Sequence, residues 1–173
     1  MNIFIVGPMG SGKSTVGKII SNELFLNFFD TDEEIESRTG ASIDWIFDLE
    51  GEEGFRKREK DVLLEIKKTN SSVVSTGAGL VLEKNNRELL ASNGKVIYLD
   101  VSIESQLKRT TFDKTRPLLS KGDKREILLK MSKDRDHLYK KLADITIKAG
   151  KKSCKEIIEE IASKIKTIED GPD

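Results

Sequence analysis

The stretch from Gly7 to Ser14, which reads Gly-Pro-Met-Gly-Ser-Gly-Lys-Ser, has the residue types and spacing to hold phosphate groups. Glycines let the backbone curl until several N–H groups face one point, and a following helix adds the positive end of its dipole there. Lys13 supplies a mobile cation for the phosphates, and the Ser14 hydroxyl is a suitable Mg²⁺ ligand. The pattern predicts a nucleotide-binding P-loop, and the alternative is a glycine-rich turn that only joins a strand to a helix. The residues expected to contact the nucleotide are Gly10, Ser11, Gly12, Lys13, Ser14 and Thr15.

Two carboxylates, Asp30 and Asp32, follow a short apolar run that predicts a strand. In an open parallel sheet, ligands bind outside the carboxyl ends of the strands, so both should share an edge with the P-loop. Phosphoryl transfer needs a metal site and a group that can take the proton of the acceptor hydroxyl. One carboxylate would hold metal-bound water and the other would hydrogen-bond the acceptor hydroxyl. Alternatively, Asp32 only caps a helix.

Asp100 is a rival candidate for the metal site. Residues 96–100, Val-Ile-Tyr-Leu-Asp, have the pattern of a Walker B strand. This segment leads directly into a helix that carries Lys108 and Arg109, which suits a structural strand end near the nucleotide. We therefore favour Asp30 and Asp32 as the functional carboxylates.

Arginines are the cationic candidates, namely Arg56, Arg116 and Arg135. Charged residues make up 35% of the chain, so an isolated arginine is usually a solvated surface residue. Arg56 stands out because it lies near Asp32 in an insertion, at about residues 32–60, that could cover an acceptor. An arginine fork is well suited to a substrate carboxylate.

The elements that must position these residues are short apolar strands separated by helices. Apolar runs predict strands at residues 3–6, 27–29, 72–76, 95–100 and 145–147. A helix should follow the P-loop as far as about Leu26, with Val16, Ile19, Ile20 and Leu24 facing the sheet. Further helices are predicted at about residues 32–38, 43–47, 55–68, 83–91, 103–110, 123–142 and 153–165. Gly40 is expected to end the first of these, and Ser42 to cap the start of the second. This alternation predicts an α/β fold with a five-stranded parallel sheet covered on both faces.

A single domain over residues 1–173 accounts for the whole chain. The irregular, basic stretch at about residues 112–122 favours a mobile lid over an ordinary surface loop once a phosphate site is present. The tail at residues 169–173 is expected to be frayed.

The composition excludes several classes of partner. The chain has 30 basic and 30 acidic residues, so no basic excess exists to drive binding to nucleic acid or to an anionic membrane. No apolar stretch approaches the roughly 20 residues that span a bilayer. Cys154 and His137 are the only residues of their types, which excludes a disulfide framework and His-pair metal sites. A cytoplasmic protein is expected, and a monomer, because no exposed apolar helix face is obvious.

Eight segments of the chain, in the family's order, resemble shikimate kinases. They are Gly7 to Ser14, Phe29 to Asp32, Arg38 to Gly40, Gly51 to Arg56, Gly77 to Gly79, Arg116 to Leu119, Arg135 to Tyr139, and Ala143 to Thr146. The Asp-Thr-Asp, Gly-Phe-Arg and Arg-Pro-Leu-Leu segments are far more specific than the P-loop. The resemblance implies a nucleoside-monophosphate-kinase-like fold. It also implies transfer of the ATP γ-phosphate to the 3-hydroxyl of shikimate, in the biosynthesis of aromatic amino acids through chorismate.

The resemblance also implies roles for single residues. Asp32 would contact the acceptor hydroxyl as base or orienter, and Arg116 would reach the γ-phosphate from the lid. Mg²⁺ would have Ser14 in its inner shell and Asp30 in its outer shell, while Arg109 would lie against the adenine. The acceptor would be held by two arginines that bind its carboxylate and by a turn that presents backbone to its ring, namely Arg56, Arg135, Gly77, Ala78 and Gly79.

Ala78 is a departure from the family, which usually has three consecutive glycines here. If the middle residue needs a positive φ, alanine strains the turn. If the residue needs only a close approach to the ring, the methyl group narrows the pocket, and otherwise the change is harmless.

Other functions remain as alternatives. A kinase of the same fold that acts on another polyol, such as gluconate, would also suit a carboxylate-binding arginine pair. A nucleoside monophosphate kinase would not need Asp32 as a base, and a GTPase would carry an Asn-Lys-x-Asp segment, which this chain lacks. A non-catalytic nucleotide-binding regulator is a further class, although the presence of Lys13, Asp32 and Arg56 favours activity.

Overall fold

A computed structural model describes residues 2–69, 71–110 and 122–170 of the 173-residue chain, with side chains to residue 167. The strands are β1 (Asn2–Val6), β2 (Asn27–Asp30), β3 (Ser72–Ser75), β4 (Gly94–Asp100) and β5 (Ile145–Lys148). The helices are α1 (Lys13–Glu23), α2 (Thr31–Thr39), α3 (Ile43–Ile66), α4 (Lys84–Asn93), α5 (Ile103–Thr110), α6 (Lys124–Leu142) and α7 (Cys154–Asp170). A short 3₁₀ helix spans Leu80–Leu82.

The five strands form one parallel sheet, as the sequence predicts, and their order in the sheet is β2-β3-β1-β4-β5. Successive residues of β1 point to opposite faces, because side chains alternate along a strand. Ile3 and Ile5 pack in a core cluster with residues of α1 and α7. Phe4 and Val6 pack in a second cluster with residues of α2, α3, α4 and α6. Burial on both faces explains why the strands are continuous apolar runs.

Helix α3 consists of two helical segments joined at Gly51, whose φ of 68° and ψ of −174° are not helical. The first segment begins after Ser42, whose side chain accepts a hydrogen bond from the Trp45 N–H at 3.3 Å. This agrees with the predicted cap at Ser42 and with the predicted start of a second helix after the Gly51 region. The break allows both segments to border the same cavity, which is described below.

Two predicted helix ends are wrong. Helix α1 ends at Glu23 rather than near Leu26, and Leu24 is 49% exposed instead of facing the sheet. The reason is that Phe25 adopts a φ of 54°, which turns the chain out of the helix before β2. Helix α7 continues to Asp170 and so enters the predicted frayed tail, whose last residues, 171–173, lie outside the described residues.

The predicted lid also lies outside the described residues, except for Gly122, and so does Arg116.

Within the described part of the chain, no helix has the length and apolar character to cross a membrane. Trp45 and Leu49, one turn apart on α3, are 59% and 63% exposed, so the reason for expecting a monomer is wrong. The monomer itself stays a prediction.

Candidate active site

The carboxyl ends of β1, β2 and β3 bring three chemically important loops to one edge of the sheet. Ile5 of β1 is paired with Ser75 of β3, and Ser75 is paired with Asp30 of β2. The three strands therefore end almost level with one another. The P-loop, the Asp-Thr-Asp segment and the turn at Gly77–Gly79 follow these strand ends, as expected for ligand sites in open parallel sheets.

The P-loop has the backbone conformation that phosphate binding requires. Gly10 and Gly12 have φ values of 69° and 93°, a region that favours glycine. At Gly7, a Cβ atom would lie only 2.7 Å from the Leu99 carbonyl oxygen. Helix α1 begins at Lys13 with no side-chain cap and no acidic residue in its first turn. Its first N–H groups and its dipole are therefore suited to an anion.

Lys13 and Arg109 both contact the P-loop backbone. The Lys13 Nζ donates a hydrogen bond to the Pro8 carbonyl oxygen at 2.9 Å. The Arg109 Nη1 donates to the Gly10 carbonyl oxygen at 2.9 Å, although these residues are far apart in sequence. The structure thus brings Arg109 to the nucleotide loop, the region in which the sequence predicts it.

Ser14 and Asp30 lie together beneath the P-loop. The Ser14 hydroxyl donates to the Asp30 Oδ2 at 2.6 Å, and the Ser75 Oγ lies 3.2 Å from the same hydroxyl. These hard oxygen donors fit Mg²⁺, which commonly takes one or two protein ligands and completes its shell with water and substrate phosphate. Among the described residues, no group of three or more His, Cys, Asp or Glu side chains could hold a metal by itself.

Asp30, and not Asp32, is the N-cap of α2. Its Oδ1 accepts hydrogen bonds from the Asp32 N–H at 3.1 Å and the Glu33 N–H at 3.4 Å. The alternative that Asp32 only caps the helix is therefore wrong. Because the cap is supplied two residues earlier, the Asp32 side chain borders a cavity instead.

A cavity of about 280 Å³ lies beside the P-loop, and all six predicted acceptor residues line it. Its charged lining includes Asp32, Arg56, Glu59 and Arg135, and its backbone lining is the turn of Gly77, Ala78 and Gly79. An apolar wall is formed by Met9, Ile43, Phe47 and Phe55. The cavity therefore combines carboxylates and two arginines with apolar surface, which suits a small hydroxy acid that has a hydrocarbon ring.

Gly77 and Gly79 are needed because charged side chains lie directly against them. A Cβ atom at Gly79 would lie 2.1 Å from the Arg56 Nη2. At Gly77, it would lie 2.4 Å from the Glu59 Oε1 and 3.0 Å from the Asp32 Oδ1. Any side chain at either position would displace the charged groups of the cavity.

Ala78 does not strain this turn, since it is not among the described residues with a positive φ. It packs against the cluster formed by Met9 and Leu128. The possibility that alanine distorts the backbone is therefore wrong.

Glu59 is a site residue that the sequence analysis missed. Its side chain is 0% exposed, and its Oε2 accepts a hydrogen bond from the Arg56 Nη1 at 2.7 Å. Arg56 also pairs with Glu52, at 3.0 Å. A signal was present in the sequence, because Glu59 interrupts the apolar stripe formed by Phe55, Val62 and other residues of α3.

Burial raises the pKa of Glu59 to about 7. The Arg56 charge and hydrogen bond oppose this rise, whereas the negative charge of Asp32 adds to it. Glu59 therefore holds Arg56 in place while carrying a carboxyl group that titrates near neutral pH.

Asp100 has structural partners at the end of β4. The Tyr98 hydroxyl donates to its Oδ1 at 3.3 Å, and Lys148 of the neighbouring strand β5 pairs with its Oδ2. These contacts support the interpretation of Asp100 as a structural strand end.

Comparisons of sequence identify the family. The family model described as shikimate kinase matches residues 9–166. The shikimate kinase of Vibrio cholerae serotype O1 is 48% identical over 160 residues, which cover 92% of this chain and 92% of that protein. The shikimate kinase of Francisella philomiragia is 47% identical over 163 residues, covering 94% of this chain and 93% of that protein.

Solved structures agree with this result. Shikimate kinase from Acinetobacter baumannii, in complex with shikimate, matches with a TM-score of 0.92 and 43% identity, covering 95% of this chain and 92% of that chain. A gluconokinase from Sinorhizobium meliloti matches with a TM-score of 0.59 at 17% identity, a likeness that shows the fold alone. The chain belongs to the shikimate kinase family of ATP-dependent phosphotransferases.

Proposed function

We propose that this protein transfers the γ-phosphate of ATP to the 3-hydroxyl of shikimate, giving shikimate 3-phosphate and ADP. The observation that carries the proposal is one cavity in which Asp32, Arg56 and Arg135 meet beside a P-loop. The two arginines suit the acceptor carboxylate, and the carboxylate of Asp32 suits an acceptor hydroxyl. The reaction belongs to the shikimate pathway of aromatic amino acid biosynthesis.

The P-loop side of the site holds ATP in this mechanism. The N–H groups at the start of α1 bind phosphate oxygens, and Lys13 neutralises charge on the β- and γ-phosphates. Ser14 and Asp30 would hold Mg²⁺, which when bound neutralises further phosphate charge. Arg109 contacts the Gly10 carbonyl of the P-loop, and from there it would lie against the adenine.

The cavity side holds and activates the acceptor. Arg56 and Arg135 bind the shikimate carboxylate, and Glu59 keeps Arg56 in position through their ion pair. Asp32 accepts the proton of the 3-hydroxyl of shikimate. At the same time, the oxygen of that hydroxyl forms a bond to the γ-phosphorus. The bond between the γ-phosphorus and the bridging oxygen breaks, and that oxygen leaves with ADP. Arg116 is proposed to stabilise the transferring phosphoryl group, but it lies outside the described residues.

ADP release from Mg-ATP, measured with shikimate, quinate, gluconate, AMP or no acceptor, tests this proposal. Strong stimulation by shikimate alone is the expected result. Stimulation by gluconate instead would reassign the acceptor within the same fold. ATP binding without stimulation by any acceptor would favour a non-catalytic nucleotide-binding regulator.

A cytoplasmic monomer that uses no nucleic-acid or membrane partner remains our proposal for the state of the protein. The equal numbers of basic and acidic residues support the absence of such partners. Light scattering of the purified protein tests the monomer, and the exposed Trp45 and Leu49 make this measurement informative.

A further inference from the structure

Tyr139 reaches the acceptor turn from a distant part of the chain. Its hydroxyl donates a hydrogen bond to the Ala78 carbonyl oxygen at 2.5 Å, across 61 positions in sequence. Tyr139 is buried on α6, one helical turn after Arg135. One helix thus carries both a cation that lines the cavity and a donor that contacts the backbone of the turn.

The contact fixes one peptide unit of the turn. The Ala78 carbonyl and the Gly79 N–H belong to the same peptide unit, which is trans, as are the others in the described ranges. In a planar trans peptide, the C=O and N–H bonds point in opposite directions. Since the carbonyl is drawn toward Tyr139, the Gly79 N–H is directed away from α6.

The start of the turn is fixed independently of Tyr139. The Gly77 N–H donates to the Thr31 hydroxyl at 2.8 Å, and Thr31 is fully buried. The flanking peptide units are held within the turn itself, because the Leu80 N–H donates to the Gly77 carbonyl at 3.1 Å and the Leu82 N–H donates to the Gly79 carbonyl at 3.0 Å. The Ala78 carbonyl lies between these two, and it accepts its hydrogen bond from Tyr139 of α6. The Ala78–Gly79 unit borders Arg56, because a Cβ atom at Gly79 would lie 2.1 Å from its Nη2.

The phenol ring of Tyr139 is itself held in place. It stacks on Tyr98, with ring centroids 5.1 Å apart and an interplanar angle of 22°. Burial raises the pKa of Tyr139 above its ordinary value, although the charge of Arg135 acts in the opposite direction. The hydroxyl therefore remains protonated, and remains a donor, throughout the physiological range of pH.

We propose that Tyr139 is a positioning residue that orients the Ala78–Gly79 peptide so that its N–H faces the acceptor. The proposal rests on the proposed function, since the ligand that the N–H meets is the oxygen-rich cyclic acid held by Arg56 and Arg135. Tyr139 does not touch the reacting atoms, and it acts through the turn.

The test compares Tyr139→Phe with Tyr98→Phe, which removes a hydroxyl from the other ring of the same stacked pair. Without the hydroxyl, the Ala78 carbonyl loses its hydrogen bond to α6, and the peptide unit loses the contact that holds its orientation. We expect Tyr139→Phe to raise the KM for shikimate about tenfold and to leave the KM for ATP unchanged. Tyr98→Phe, whose hydroxyl bonds Asp100 at the end of β4, should leave both values unchanged.

A merely structural role for Tyr139 would change both KM values together, or would change neither of them. Either result, in a wild-type protein that responds to shikimate, overturns the inference and leaves the proposed function intact. A wild-type protein that does not respond to shikimate overturns both.

Replacing Tyr139 with 4-aminophenylalanine, which keeps the ring and offers an N–H donor, gives a second test. It should restore the KM for shikimate, and failure to do so would also overturn the inference. Because this variant retains a donor, it remains informative if Tyr139→Phe does not fold.

Discussion

The nucleotide side and the acceptor side of this site are built by different means. The phosphate-binding part of the nucleotide side is one continuous stretch, from Gly7 to Ser14, and it offers backbone N–H groups, one helix dipole and one lysine. The acceptor side collects single side chains from α2, α3 and α6 around the Gly77–Gly79 turn. It depends on buried charges that hold one another in position, as Glu59 holds Arg56.

The two sides should therefore respond differently to amino-acid substitutions. Much of the shape of the P-loop comes from local backbone geometry, so replacing its lysine removes a charge and leaves the backbone cradle in place. The acceptor side depends on contacts between distant segments, so a substitution there disturbs neighbours that are remote in sequence. Five substitutions test this distinction, and they are given in decreasing order of the effect that we expect.

Asp32→Asn removes the group proposed to take the hydroxyl proton while keeping its size. We expect kcat to fall by about 10²- to 10⁴-fold, with ATP affinity unchanged. Single-turnover phosphoryl transfer and equilibrium binding of ATP measure the two quantities. Glu34→Gln, on the same helix and paired with Arg38, is the matched control. Loss of ATP affinity with normal turnover would contradict the division between the two sides.

Lys13→Ala removes the mobile cation of the nucleotide side. We expect turnover to fall by about 10²- to 10³-fold, because charge that develops on the phosphates loses an electrostatic partner. Steady-state ADP release measures the effect, and Lys18→Ala, exposed on the same helix, serves as the control. Near-normal turnover would show that the loop has been assigned the wrong ligand.

Arg56→Ala should weaken the acceptor side alone. Loss of a charged hydrogen-bonding group predicts an increase of roughly 10- to 100-fold in the KM for shikimate, with little change for ATP. Arg58→Ala is the control, because Arg58 pairs with Glu50 on the exposed side of α3. Equal effects on both substrates would argue against a carboxylate-binding role for Arg56.

Glu59→Gln tests the buried carboxyl group through its pH dependence. The pKa of Glu59 is raised from 4.5 to about 7, so its contribution to stability is complete below pH 4.5 and is lost as pH rises through about 7. Between about pH 5 and about pH 8, the wild type should lose about 2 kcal/mol of unfolding free energy relative to the variant.

Urea unfolding at several pH values measures this difference, and Asp61→Asn, exposed on α3, is the control. Parallel pH profiles for the wild type and Glu59→Gln would refute the assignment of this titration to Glu59.

Ala78→Gly should have the smallest effect, because the alanine methyl packs against Met9 and Leu128 without backbone strain. We expect the KM for shikimate to change by less than about threefold and the preference among acceptors to be retained. The acceptor panel, repeated with this variant, measures both properties. A new preference would show that the methyl group shapes the cavity.

Features carried by local sequence were predictable. The five strands, the P-loop and the cap at Ser42 follow from patterns within a few residues of one another. Gly40 likewise ends α2 in the left-handed conformation, as its residue type indicates. The family resemblance added the roles of Asp32 and Arg135, whose spacing alone does not bring them together.

Features that depend on packing between distant segments were not predictable in this way. The apolar stripe of α3 marks Glu59 as unusual, but its role depends on how α3 packs, since burial beside Arg56 gives the carboxylate that role. Tyr139 meets Ala78 only through the position of α6. The assignment of the helix cap to Asp30 depended on side-chain geometry, because Asp30 and Asp32 are both suitable cap residues.

Asp30 gives the protein a built-in spectroscopic reporter. One oxygen of its carboxylate accepts from Ser14, at the expected metal site, and the other accepts from the amides of Asp32 and Glu33. Any ligand that polarises or moves this carboxylate must change the shielding of those two amide protons. Their NMR signals will therefore register occupancy of the nucleotide side from within the helix that carries the proposed acceptor base.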